Sequence, residues 1–124
     1  MSRASERGAV AVEFAILAPL LIMILLGIME FGRAYNAQVS LTNAAREGVR
    51  VMAISNNQTS AITAAKNAAV SLSPALVNSN ITFSTASCTA GAQMTVTITY
   101  TLSTLTGIAG PFAMTGKGVM QCGG

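Results

Sequence analysis

The feature that most constrains this chain is the run from Ala9 to Met29, 21 residues in which Glu13 is the only charged side chain. At about 1.5 Å per helical residue the run measures roughly 30 Å, the thickness of a bilayer's hydrocarbon core. A helix that is apolar all round belongs in a membrane or deep inside a large protein, and a chain of 124 residues offers little room for the second option. A transmembrane segment is therefore expected. A cleaved secretory signal shares the basic flank supplied by Arg3 and Arg7, but its apolar region is shorter and free of acids. The best small-x-small cleavage site, Gly32 to Ala34, has Arg33 at its centre and follows Glu30, so a retained helix is the reading. Arg3 and Arg7 before the span, with few basic residues just after it, place the N-terminus in the cytoplasm and the rest of the chain outside.

Charged residues make up 9% of the chain against 52% hydrophobic, far below the usual quarter charged, which points to a membrane segment or a subunit buried in an assembly. Beyond Arg3 and Arg7 the cations Arg33, Arg46, Arg50, Lys66 and Lys117 are scattered, so no basic patch for nucleic acid is written here. Histidine is absent and the two cysteines lie far apart, which leaves no zinc-ligand spacing and no Cys/His nucleophile pair. No metal, no cofactor and no enzymatic activity are expected. The methionines, among them Met23, Met29 and Met52, read as adaptable packing.

The helical spacing of three and four residues continues past the span through Phe31, Tyr35, Gln38, Leu41, Ala45, Val49 and Met52, until Ser55, Asn56 and Asn57 break the pattern. Glu30 with Arg33 and Glu47 with Arg50 are neighbours at i and i+3 on such a helix. A second helix is expected from about Ser60 to Leu72, with Ile62, Ala65, Ala69 and Leu72 on one face and Pro74 as its stop. The period then changes from helical to two. From Gln93 to Leu102, Met94, Val96, Ile98, Tyr100 and Leu102 alternate with Thr95, Thr97, Thr99 and Thr101, the pattern of a half-buried strand. Ile81 to Ser87 and Thr115 to Cys122 are further strand candidates, the last weakened by Gly116 and Gly118, and 104 to 112 reads as loop. The expected fold class is α+β: a long N-terminal transmembrane helix that continues into a small domain holding a second helix and about three antiparallel strands.

Glu13 lies four residues into the apolar run, where a carboxylate costs on the order of 3 kcal/mol to insert. It either snorkels to the cytoplasmic interface or meets a cation at its own depth. Cleavage after Gly8 supplies such a cation, since it frees an α-amine at Ala9 and leaves Glu13 as the fifth residue of the shortened chain. Pro19, inside the span, removes one helical hydrogen bond and marks a kink site.

The stretch Arg7-Gly8-Ala9-Val10-Ala11-Val12-Glu13-Phe14-Ala15, then Pro19, then Gly27-Ile28-Met29-Glu30-Phe31-Gly32-Arg33-Ala34-Tyr35 and Asn43-Ala44-Ala45-Arg46-Glu47-Gly48-Val49-Arg50, closely resembles the TadE-like proteins of tight-adherence (Tad) pilus systems. The resemblance implies a pilin-like protein of the bacterial inner membrane, handled by a prepilin peptidase and a pilus assembly platform. It implies that Gly8 and Ala9 flank the processing site and that Glu13 serves recognition or assembly. Ala9 departs from the aromatic or methionine residue common at the first mature position of many type IV pilins, and Phe14 stands where small Tad pilins carry tyrosine. The expected organisation is a prepilin leader at 1–8, a membrane or filament-core helix at 9–29, its extracytoplasmic continuation at 30–56, and an exported α+β domain at 57–124.

Cys88 and Cys122 both fall in the exported part, an oxidising compartment, where an even cysteine count favours a disulfide over two free thiols. Two functions fit these features. One is a pilus subunit that packs against other copies, or other pilin-like subunits, through its N-terminal helix. The other is a membrane-anchored periplasmic accessory of the pilus or secretion machinery that stays in the bilayer. No nucleic-acid partner is expected for either.

Overall fold

Helix α1 spans Arg3–Ser55, and its length follows from its sequence: no glycine pair, and no proline besides Pro19, interrupts the helical pattern before Asn56. The computed structural model describes residues 3–107 and 110–123, with the Arg3 side chain excepted. The first residues of the 1–8 segment and the middle of the 104–112 loop thus lie outside the described residues. α1 contributes to two compact units, one ending at Arg33 and one beginning at Ala34.

Within the second unit, Asn56 closes α1. It adopts a left-handed backbone (φ 50°), and its N–H bonds back to the Met52 carbonyl at 2.9 Å. Asn57 then caps the next helix, its side chain accepting from the Ser60 N–H at 3.1 Å. Helix α2 spans Gln58–Ala68, ending a full turn earlier than the Leu72 expected from sequence. The Ala69 N–H reaches back three residues to Lys66, and the Leu72 N–H does the same to Ala69, tightening the chain into turns. Those turns still deliver Ala69 and Leu72 into the core, so the expected buried positions hold although the helix does not.

The sheet has the order β1-β2-β3, all antiparallel, with β1 at Ile81–Phe83, β2 at Gln93–Leu102 and β3 at Phe112–Gln121. β2 buries Met94, Val96, Ile98, Tyr100 and Leu102, the five residues its alternation assigns to one face. β1 stops at Phe83 instead of running to Ser87. Its successor Ser84 bonds Thr95 through both its N–H (2.9 Å) and its hydroxyl oxygen (3.0 Å), and the Cys88 N–H is then captured by Asn56 Oδ1 at 2.6 Å. Those side-chain bonds draw the chain off the sheet toward the α1–α2 junction. β3 begins three residues before the expected Thr115, because Phe112 through Met114 pair with Leu102 through Tyr100.

Both helices pack on the inner face of this sheet. Leu41, Ala44, Ala45, Val49 and Met52 of α1 join Ala61 and Ala65 of α2 and the inner residues of β2 in one core. The expected helical stripe on α1 is split: Leu41, Ala45, Val49 and Met52 are fully buried, while Phe31 and Tyr35 are 75% and 67% exposed. Small residues set the spacing. A Cβ at Gly48 would sit 3.3 Å from Ala65 Cβ, so at this point α1 approaches α2 through glycine against alanine.

Cys88 and Cys122 are joined in a disulfide with Cα atoms 5.6 Å apart. Together with the Gly123 N–H donating to Ala53 O at 3.2 Å, it ties the C-terminal strand to the end of α1. The 34-residue separation corresponds to about 4 kcal/mol in the chain-entropy picture. Cys88→Ala with Cys122→Ala is accordingly expected to lower the unfolding free energy by about 3 to 4 kcal/mol, as measured by denaturant titration of the detergent-solubilised chain. A loss below about 1 kcal/mol rejects that role.

Candidate functional site

The first unit is a single stretch of helix whose character is set by what covers it. In its most apolar 18-residue window no residue is buried, and this helix is long and apolar enough to cross a membrane. Val10, Val12, Phe14, Ile16, Leu20, Leu21, Ile22 and Met23 are all more than half exposed, and at about 100° of turn per residue they lie on every side of the helix. A continuous exposed apolar surface of this kind fits a single-pass membrane anchor.

Glu13 is exposed on this helix. The residues one turn away on either side are Ala9, Val10, Ile16 and Leu17, none of them charged. Among the described residues it enters no ion pair. Ala9 lies four residues before it and thus on the same helix face. Gly8 and Ala9 are both inside α1 and exposed, and a Cβ at Gly8 would meet nothing within 4 Å. Pro19 also lies inside α1, which continues through it, although proline leaves the Ala15 carbonyl without its usual donor.

Beyond the apolar run, polar pairs appear at helical spacing. Arg33 lies 3.8 Å from Glu30 and Arg50 lies 3.1 Å from Glu47. Both are i, i+3 contacts on α1, worth a few tenths of a kcal/mol each. Among the described residues no group of three or more His, Cys, Asp or Glu is placed to hold a metal ion. The predicted site residues thus separate between the two units: Gly8, Ala9, Glu13 and Pro19 along the apolar helix, and Cys88 with Cys122 in the unit that holds the sheet.

Sequence reasoning named several residues of the second unit without the contacts by which they fix it. Asn56 serves both as the left-handed stop of α1 and as the acceptor for Cys88. The Tyr100 hydroxyl donates to the Pro74 carbonyl at 2.7 Å, fastening the turn after α2 to the sheet. Gly116 and Gly118 lie against α1, where a Cβ would come within 2.5 Å of Leu41 O and 2.7 Å of Ala45 O respectively. Their signal was present as two glycines at period two on one face, the pattern of a strand that needs close backbone approach.

The model of the TadE-like protein family matches residues 8–50 of this chain. No curated protein and no solved structure matches it. The matched region holds Gly8, Glu13, the whole apolar run, and the polar part of α1 as far as the Glu47–Arg50 pair. Residues 8–50 of this chain are thus similar to the TadE-like protein family.

Proposed function

We propose that the chain is a pilin-like structural subunit of a Tad-type pilus, serving filament assembly and surface adhesion without enzymatic activity. The observation that carries the reading is a TadE-like helix whose apolar run is exposed on all its faces. Such a surface suits two successive environments, the bilayer during biosynthesis and a bundle of neighbouring subunit helices after extraction. Both cover apolar side chains equally well, so transfer between them costs little per residue.

In this reading the inner membrane holds the N-terminus in the cytoplasm and the residues after about Glu30 outside. Residues 1–8 are a leader, and a prepilin peptidase cuts between Gly8 and Ala9. A glycine within a helix lowers local stability by roughly 0.5 to 1 kcal/mol relative to alanine, which favours the opening that a peptidase needs. The 9–29 segment is the anchor and packing helix, 30–56 its continuation, and 57–124 the exported domain. The assembly platform and other pilin-like subunits are the partners.

Mass spectrometry of purified surface filaments tests the proposal. The expected result is this chain in the filament with Ala9 at its N-terminus. Recovery from the inner membrane alone, with Met1 or Ser2 still at the terminus, establishes the accessory role instead. A phosphatase fused after Gly124 should be active only on the outer side of the membrane, and activity confined to the cytoplasm refutes the orientation.

A further inference from the structure

β3 is a ten-residue strand at the edge of the sheet, with β2 on one side and, among the described residues, no strand on the other. Antiparallel strands turn alternate residues toward each neighbour. The Cys122 N–H bonds Ala92 O on the β2 side at 2.7 Å, whereas Thr115 O accepts from Gln38 of α1 at 2.9 Å. The odd-numbered residues Ala113, Thr115, Lys117, Val119 and Gln121 therefore direct their N–H and C=O groups to the open edge. Among the described residues only Thr115 O of these groups has a partner.

A groove runs beside the second half of this edge. Val119 and Met120 form one wall, and Arg46, Glu47 and Arg50 of α1 form the other. Glu47 is engaged by Arg50 at 3.1 Å, but Arg46 is exposed and faces no acid among the described residues. Lys117, also exposed, is the only charged residue on the sheet and likewise lacks a partner there. All four acids of the chain, Glu6, Glu13, Glu30 and Glu47, belong to α1.

An unpaired edge with its main-chain groups turned outward is a template for one more strand. A second copy fits poorly, since antiparallel pairing of two β3 strands about their centre sets Lys117 against Lys117, and like charges opposed across strands repel. No strand of this chain brings an acid to relieve that. We propose that the β3 edge from Lys117 to Gln121, with its groove, accepts an extended segment of another protein that carries acidic side chains. The segment adds as a fourth strand. Because side chains alternate between faces, one acid meets Lys117 on the outer face and its neighbour meets Arg46 in the groove. This inference stands apart from the pilus reading, because it uses only the second unit.

The test uses the full chain in detergent micelles and a fluorescent eight-residue threonine–valine peptide with two adjacent glutamates, compared with the same peptide carrying two lysines. The glutamate peptide is expected to bind roughly tenfold more tightly, with the margin shrinking at high salt. Arg46→Glu with Lys117→Glu should reverse the preference, a result that misfolding cannot produce. Val119→Pro removes one outward N–H and no bond to β2, so it should weaken the glutamate peptide by about tenfold. Equal binding of the two peptides, or a preference untouched by the charge reversal, overturns the proposal. So does self-association of the chain through this edge, seen as concentration-dependent cross-linking that Val119→Pro abolishes, because the occupant is then a second copy.

Discussion

Glu13→Gln is expected to stop filament assembly while leaving the chain in the inner membrane. No cation lies one turn from Glu13, and no side chain among the described residues pairs with it. In the proposed reading its ionic partner is a freed Ala9 amine, in the same chain or in a neighbour. Glutamine removes one half of that pair and strands an ammonium among apolar helices, a penalty of about 3 to 5 kcal/mol, or more than a hundredfold in an assembly equilibrium. If Glu13 only snorkels, the same substitution should leave assembly and retention unchanged or improved, since an amide is cheaper to bury than a carboxylate. Gly8→Val should give a related block, with Arg3 and Arg7 still attached to a segment that has to leave the bilayer. Filament yield and the N-terminal residue of recovered chain are the measurements. Normal assembly of Glu13→Gln rules out the pairing role.

The second large effect belongs to the contact between β3 and α1. At Gly116 a new Cβ would approach Leu41 O at 2.5 Å and Leu41 C at 2.6 Å, and at Gly118 it would approach Ala45 O at 2.7 Å. These neighbours are helix backbone, not the ends of flexible side chains, so the strand or the helix has to move. Overpacking typically costs about 1 to 3 kcal/mol, and a clash with two fixed backbones belongs at or above the top of that range. Gly116→Val is expected to lower the unfolding free energy of the sheet-bearing unit by about 3 kcal/mol or more, and Gly118→Ala by about 2. Gly32→Ala is the control: a Cβ there meets nothing within 4 Å on the same helix, so alanine should be neutral or stabilising by up to about 1 kcal/mol. Denaturant titration and protease resistance read both outcomes. A Gly116→Val chain as stable as the parent shows that the close approach is absent in solution.

What the sequence settled by itself is what depends on period and on near neighbours. The apolar run, the continuation of α1 to Ser55 and the ten residues of β2 were legible because each repeats one pattern for several turns or alternations. The Glu30–Arg33 and Glu47–Arg50 pairs were legible because i, i+3 contacts need only the helix. The TadE-like region was legible because Gly8, Glu13 and the following run lie in one uninterrupted stretch.

Tertiary structure decided the rest. Sequence took α2 on to Leu72 because its buried residues keep helical spacing that far, and only the tight turns at Ala69 and Leu72 show that the same burial is reached by another path. Sequence ran β1 to Ser87, whereas Asn56, 32 residues earlier, takes Cys88 out of strand geometry. Gly116 and Gly118 counted against a strand when read locally, because glycine has no side chain to pack and loses most entropy on ordering. Against α1 the same absence is what lets a strand lie on a helix backbone, and that advantage exists only once Leu41 and Ala45, more than 70 residues away, have arrived. Local pattern fixes which face of an element is apolar. How closely two elements approach depends on both surfaces at once, and one segment read alone contains only one of them.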